Sequence, residues 1–300
     1  MTSVTTLDPP ADADTPARAD ASSARAEPPP AGLTRMAIDC RLDYELDGDC
    51  DFVFMILPSL ADQTVHHEVL TLTPEIPHHL REDASSGNRL LRLRAPAGSL
   101  GVAYRALVDR PIDAPDPNAP ELPIAELPDE VLRFLSPTRY CESDHLAAVA
   151  LQLFGEMAPG HARVQAVADW VKRNIVYRLG STTPLTTARD VFVQRAGVCR
   201  DFAHLSVALC RALNIPARLV AGYARFPDPP PDFHAVFEAY LGGRWVMFDP
   251  TGLAPVAHLV RVATGSDAKD VAFATIFGPA RMVAMSPEVV LIRDGVVPAA

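Results

Sequence analysis

The 300-residue chain has no stretch of about 18 uninterrupted apolar residues, so no transmembrane helix is expected. Its first residues, MTSVTTLDPPADADTPARAD, offer neither a basic start nor an apolar run, so no secretory signal is expected and the cytoplasm is the expected compartment. Cysteine is sparse: Cys40, Cys50, Cys141, Cys199 and Cys210 are scattered and odd in number. With no C-x-x-C pair among them, a disulfide framework, a zinc ribbon and a redox dithiol all lack support. Neither G-x-x-x-x-G-K-[ST] nor G-x-G-x-x-G occurs, which leaves nucleotide cofactors without support. Basic excess is also missing, since 27 Lys and Arg against 37 Asp and Glu give a formal charge of -10. That balance argues against nucleic acid and anionic membrane as partners.

What is present is an ordinary globular composition, 48% hydrophobic and 21% charged, in a chain long enough for two units. Residues 1–32 are rich in Ala, Pro, Asp, Ser and Thr and bury too little apolar surface to offset ordering, so a disordered leader is expected. Over 33–110 short alternating or β-branched runs (MAIDCRLDYEL, FVFMIL, VHHEVLTLT, RLLRLRA, VAYRALVD) predict a small antiparallel β domain. Asp47-Gly48 is a two-residue hairpin signal between the first two runs. Six prolines between 111 and 128 predict an extended linker.

From 129 to 300 the period lengthens to that of helices in HLAAVALQLFGEM, RVQAVADWVKRNIVY, TARDVFVQ and VCRDFAHLSVALCRALN. Phe202, Leu205, Leu209 and Leu213 form the apolar stripe of the last, and Asn214-Ile215-Pro216 stops it. Strands follow in ARLVAGYARF, FHAVFEAYL and RWVMFD, the last two joined at Gly242-Gly243. A helical or loop stretch is expected around ATGSDAKDVAFATIFG and a last strand in EVVLIRDG.

Cys199 stands at the predicted start of the long helix, where unpaired N–H groups and a partial positive charge favour a thiolate and can bind an oxyanion. Ala196 and Gly197 on the entering loop let a substrate backbone come close. A small buried hydrophobe is the alternative reading of this cysteine. A thiolate nucleophile needs a base that also protonates the leaving group, and His234 opens the next strand but one. Asp249 ends the strand across the Gly-Gly hairpin from His234 and could orient its imidazole. Singly, His234 reads as a strand-end residue and Asp249 as an Asp-Pro turn starter; together with Cys199 they form an ordered set. His204 is a competing base, but its place inside the Cys199 helix points to packing.

At these residues the sequence resembles the bacterial transglutaminase-like proteins, a family related in fold to papain-like cysteine proteases. The resemblance is carried by GVCRDFAHL at 197–205, ALCRALNIPAR at 208–218, VAGY at 220–223, DFHA at 232–235 and WVMFDPT at 245–251. LPDEVLRFLSPTRYCESD at 127–144 and the upstream strands extend it to roughly 36–292. It implies an α+β fold, a papain-like transglutaminase core preceded by the antiparallel β domain. It also implies a Cys199, His234, Asp249 triad that works through a thioester on a peptide or protein substrate. Hydrolysis is favoured over transamidation because water is always available as acceptor. A binding module that keeps the fold without catalysis is the alternative, and oligomeric state is unreadable.

In animal transglutaminases a tryptophan, and in papain-like proteases a glutamine, helps stabilise the oxyanion. Trp170 and Gln194 are the counterparts here, neither at matching spacing, so the main-chain N–H of Cys199 is the better candidate. Tyr177, Arg200 and Asp201 follow the family pattern, and Asp201 is read as satisfying the first helical turn. His66-His67 and His78-His79 invite a metal reading, but strand neighbours point to opposite faces. Asp47, Asp49 and Asp51 imitate the start of a calcium loop, which fails at Phe52 and Pro58. No metal and no cofactor are expected.

Overall fold

The computed structural model describes residues 31–112, 116–226 and 232–292. The segment 1–30 of the expected leader, part of the linker and the prolines between Phe226 and Asp232 lie outside the described residues.

The N-terminal half supplies β1 (Leu33–Leu46), β2 (Cys50–Phe54), β3 (Thr64–Thr73), β4 (His78–Glu82), β5 (Arg89–Ala95) and β6 (Gly98–Pro111). Along β1 the buried positions are Met36, Ile38, Cys40, Leu42, Tyr44 and Leu46, the period of two expected of a strand with one face on a core. Leu100, Val102, Tyr104, Ala106 and Val108 repeat the pattern in β6, which pairs with β1 from end to end. The Tyr44 ring meets Phe52 edge-on at 5.3 Å and Phe54 at 5.9 Å, so β1 and β2 face each other across a core. The outcome is a sandwich of two antiparallel sheets.

Asp47-Gly48 does not make the expected hairpin. β1 is hydrogen-bonded on both edges, to β6 and to a strand from the far end of the chain, so β2 crosses into the other sheet. The crossing is pinned where the Asp47 N–H donates to Pro279 O at 2.9 Å.

The second half begins with α1 (Asp129–Leu132), α2 (Ser143–Phe154) and α3 (His161–Asn174), then β7 (Val176–Tyr177), α4 (Ala188–Gln194), β8 (Ala196–Gly197) and α5 (Cys199–Ala212). It continues through β9 (Ala217–Tyr223), β10 (Phe233–Leu241), β11 (Arg244–Phe248), β12 (Val260–Gly265), β13 (Ala274–Phe277) and β14 (Ala280–Leu291). β9 to β12 form an antiparallel sheet in the order β11-β10-β9-β12. α5 is buried on every side from Asp201 to Arg211, wrapped by this sheet and by α2, α3 and α4. A helix apolar or internally satisfied all round belongs in the centre of a fold, and α5 occupies that place.

The prolines between 116 and 128 run in an irregular path docked on α3. Glu121 forms an ion pair with Arg163, His161 N–H donates to Ala119 O, and Gly242 N–H donates to Pro120 O. The stretch read as helix or loop around 263–278 is loop and turn over 266–273, while its two ends contribute the end of β12 and all of β13. β13 and β14 return to the sandwich: β13 pairs with β2, and β14 runs along β1 from Met36 to Leu46. Residues 274–291, placed by sequence with the unit 129–300, are thus hydrogen-bonded to strands of 33–110.

One continuous hydrophobic cluster joins both halves. Polar bridges fix their angle: Tyr223 Oη donates to Ile56 O at 2.5 Å, Gln63 Nε2 to Arg261 O at 2.6 Å, and Asn88 exchanges two hydrogen bonds with Thr264. Among the described residues no helix is long and apolar enough to cross a membrane.

Candidate active site

The entry to α5 is built by two short strands. β7 and β8 pair in parallel, with Tyr177 opposite Gly197 and the Arg178 N–H donating to Gly197 O at 2.9 Å. Gly197 is required by packing, since a Cβ there would lie 2.7 Å from the Cβ of Asp201. Asp201 is wholly buried and closes the first turn: its Oδ2 accepts the Val198 N–H at 2.9 Å and the Thr182 hydroxyl at 2.6 Å. Its Oδ1 takes the Arg200 guanidinium at 2.8 Å, and the same guanidinium reaches Thr183 O. Asp201 therefore does what the sequence suggested and, in addition, ties the 178–187 loop to the helix start.

Cys199 stands at the first helical position, half-buried, its Sγ 3.9 Å from Phe233 O. The other four cysteines are buried, and all five are unpaired. Burial pushes the Cys40 and Cys141 thiols up to about 12.

His234 is the second residue of β10, 1% exposed, with the Phe226 ring against its imidazole at 5.3 Å. Its Nε2 bonds Asp249 Oδ2 at 3.0 Å, while Nδ1 is buried without a hydrogen bond. Burial works against a proton on this ring, but Asp249 and the adjoining Cys199 thiol outweigh it and raise the imidazole to about 9.

Asp249 follows β11 directly, carried to His234 by the hairpin that Gly242 and Gly243 turn at positive φ. Its Oδ1 accepts the Thr251 N–H at 2.8 Å and the Thr251 hydroxyl at 2.6 Å; its Oδ2 also accepts the Ala254 N–H at 3.2 Å. Burial alone would raise this carboxyl, yet the His234 contact and the Thr251 donors hold it below the ordinary range.

The fold thus brings Cys199, His234 and Asp249 together and leaves the other candidates elsewhere. His204 is fully buried, stacked on Tyr140 at 5.3 Å, and its Nε2 accepts the Ala268 N–H at 3.1 Å. Burial, aided by Arg200, pushes it down to about 3, so it packs as a neutral ring. Trp170 stacks on Phe192 at 5.8 Å beneath the Arg195 guanidinium, and Gln194 donates to Ala196 O at 2.9 Å. His66 Nε2 is engaged by Asp109 at 3.1 Å, and His78 and His79 sit on an exposed strand. Among the described residues no three His, Cys, Asp or Glu side chains are grouped to hold a metal ion.

Residues 147–250, which hold all three of these side chains, match the family model described as the transglutaminase-like superfamily. An uncharacterized protein of Mycobacterium leprae is 31% identical over 197 residues, covering 60% of this chain and 68% of that protein. The chain belongs to the transglutaminase-like superfamily. A crystal structure of a candidate cysteine protease from Cytophaga hutchinsonii is 40% identical, covers 87% of this chain and 91% of its own, and superimposes with a TM-score of 0.82. An uncharacterized protein of Mycobacterium tuberculosis H37Rv is 34% identical over 132 residues, and the chain spans only 41% of its length. The α+β architecture with antiparallel sheets around a transglutaminase-like core agrees with these likenesses.

Sequence reasoning passed over two parts of the site. Phe226 covers the imidazole and Thr251 supplies two donors to Asp249. Thr251 was legible as an Asp-x-Thr turn, in which the carboxylate is satisfied two residues on. Phe226 comes to the site from beyond the end of β9 and carried no local signal.

Proposed function

We propose that Cys199, His234 and Asp249 form a catalytic triad for thiol-dependent acyl transfer on a peptide or protein substrate, with hydrolysis as the main outcome. The observation that carries the reading is the His234 imidazole, bonded through Nε2 to a buried charged carboxylate and lying beside the Cys199 thiol. A ring that holds its proton up to about 9 is imidazolium at neutral pH, the partner a thiolate requires.

In this scheme the thiolate attacks the amide carbonyl carbon, and the carbonyl π pair moves onto oxygen. The oxyanion collapses as the C–N bond breaks, and His234 Nδ1 gives its proton to the departing amine. The thioester is then attacked by water, whose proton returns to Nδ1. A second collapse expels the thiolate and frees the acid. Asp249 remains charged throughout and keeps Nε2 protonated. A lysine amine in place of water would give a crosslink by the same steps, but a half-buried thiol leaves water access to the intermediate. Cytoplasmic residence suits a chain with five unpaired cysteines.

Iodoacetamide alkylation of the native protein, followed by mass spectrometry across pH, tests the reading. Cys199 should react fastest of the five, below pH 7, and lose that advantage in His234→Ala. Reaction no faster than an accessible ordinary thiol would favour the non-catalytic binding module instead.

A further inference from the structure

The two oxygens of Asp249 are held in different ways. Thr251, two residues on, binds Oδ1 within the local turn. The oxygen that meets His234, Oδ2, takes the Ala254 N–H at 3.2 Å. Ala254 lies five residues from Asp249, so the steadiness of this donor depends on the segment that follows it. That segment is a single 3-10 turn, Val256–His258, running through Leu259 into β12. One of its closing bonds, Leu259 N–H to Val256 O, is long at 3.3 Å. Ala254 and the wholly buried Leu259 pack with Val220, Val236 and Phe226, the ring that lies against His234. The same segment therefore carries a donor to Asp249 and part of the seat of Phe226.

What holds this segment comes from the other half of the fold. Arg110, near the end of β6, is only 8% exposed, and its Nη1 donates to Val256 O at 2.6 Å and to Leu259 O at 2.8 Å. The two carbonyls bracket the turn, so one guanidinium nitrogen closes it. Hydrogen bonds from a charged donor are among the stronger kinds, and burial strengthens them further. We propose that Arg110 is a positioning residue for the active site: from the sandwich it holds the 254–259 segment, and through the Ala254 N–H it keeps Asp249 Oδ2 on His234. The bearing of this on catalysis rests on the acyl-transfer reading of Cys199. Without the clamp the turn opens more often and the Ala254 N–H leaves Oδ2. The carboxylate can then turn about its Thr251 bonds, and its hold on Nε2 weakens. The sandwich thereby acquires a task at a site whose three residues all lie within 147–250, outside it.

The test uses two variants of the full chain. Arg110→Met keeps the length of the side chain and removes its donors, whereas Arg110→Lys keeps the charge and loses the guanidinium fork. Hydrogen exchange at the Ala254 N–H reads the segment, and nitrogen-15 histidine spectra across pH read the His234 midpoint. In Arg110→Met the Ala254 N–H should exchange about 10-fold or more faster. The His234 midpoint should fall from about 9 by roughly half a unit or more. Arg110→Lys should lie between that variant and wild type in both readouts, and it decides by the same two readouts if Arg110→Met does not fold. Arg35→Met strips the ion pair from Asp109, one residue along β6, so it reports a general weakening of the strand. It should lower urea stability and leave both readouts at wild type. Unchanged exchange at Ala254 overturns the proposal, because Arg110 would then not hold the segment. Faster exchange with an unmoved His234 midpoint also overturns it, and so does an equal effect of Arg35→Met on both readouts; either makes Arg110 a structural anchor only. Neither readout depends on the Cys199 thiol. A Cys199 no more reactive than an ordinary thiol would therefore end the acyl-transfer reading while the hold of Arg110 on the Asp249–His234 pair is still scored.

Discussion

His234 Nε2 and Asp249 Oδ2 lie 3.0 Å apart, both side chains almost wholly buried, and this one bond decides which ring nitrogen is left over. With Nε2 held by the carboxylate, Nδ1 is the nitrogen available to Cys199. Asp249 is itself held by donors from Thr251 and Ala254, so the imidazole is oriented by a carboxylate that cannot swing. A second layer of this kind is what keeps a site within its productive geometry.

Asp249→Asn keeps the shape and removes the charge. The apparent His234 value should then fall from about 9 by roughly one unit or more, since its strongest source of elevation is gone. Nitrogen-15 histidine spectra across pH read this directly. The acid limb of Cys199 alkylation should move with it, and a His234 titration unchanged in Asp249→Asn would remove Asp249 from its orienting role.

The same elevation makes stability depend on pH. His234 is raised above its unfolded value of about 6.5, so its contribution is complete below that value and is lost as pH rises through about 9. Asp249 is lowered, so its contribution is present above its unfolded value and is lost as pH falls through the folded one. The pair is worth most between about pH 4 and 6.5. Urea melts of wild type and His234→Gln should therefore differ by on the order of 3 kcal/mol at pH 6 and converge above about pH 9.5. A gap that widens with alkaline pH would contradict the assignment.

Gly197→Ala tests how tightly Cys199 is set. The new methyl would meet Asp201 Cβ at 2.7 Å, and Asp201 is wholly buried, so the helix start or the β7-β8 pair must shift. A loss of about 2–4 kcal/mol in urea unfolding is expected, typical of overpacking with a disturbed cap. Cys199 alkylation at the plateau should fall as well. A variant as stable and reactive as wild type would show that the close approach carries no weight.

The grouping of the candidate residues was more legible than their enclosure. Cys199 announces itself because Gly197 and a following apolar stripe mark a helix start, and the Gly242-Gly243 turn brings Asp249 back toward His234 by simple hairpin geometry. The long period-two runs of β1 and β6 and the stripe of α5 were equally plain. Long-range pairing was not. Asp47-Gly48 has the composition of a hairpin, but both edges of β1 are taken, and no local signal tells a strand that its partner lies about 240 residues away. The exposed polar strand His78–Glu82 lacks the apolar alternation by which strands are recognised and exists because β5 offers it an edge.

That long-range pairing leads to the last expectation. β14 covers one edge of β1 along eleven consecutive positions of β1, from Met36 to Leu46, and β13 covers β2. A chain cut after residue 272 keeps Cys199, His234 and Asp249 but uncovers both edges and removes the buried Val289 and Ile292 from the core. Exposed β edges of this length pair between molecules. The truncated chain should elute as aggregates or unfold at much lower urea than the full chain, and lose fast alkylation of Cys199 with it. The reason is that β12, next to β9 in the sheet that holds His234, leads directly into the removed strands and is tied to the sandwich through Gln63 and Asn88. A monomeric truncated chain with undiminished Cys199 reactivity would instead show that residues up to 272 hold the site without β13 and β14 closing the sandwich.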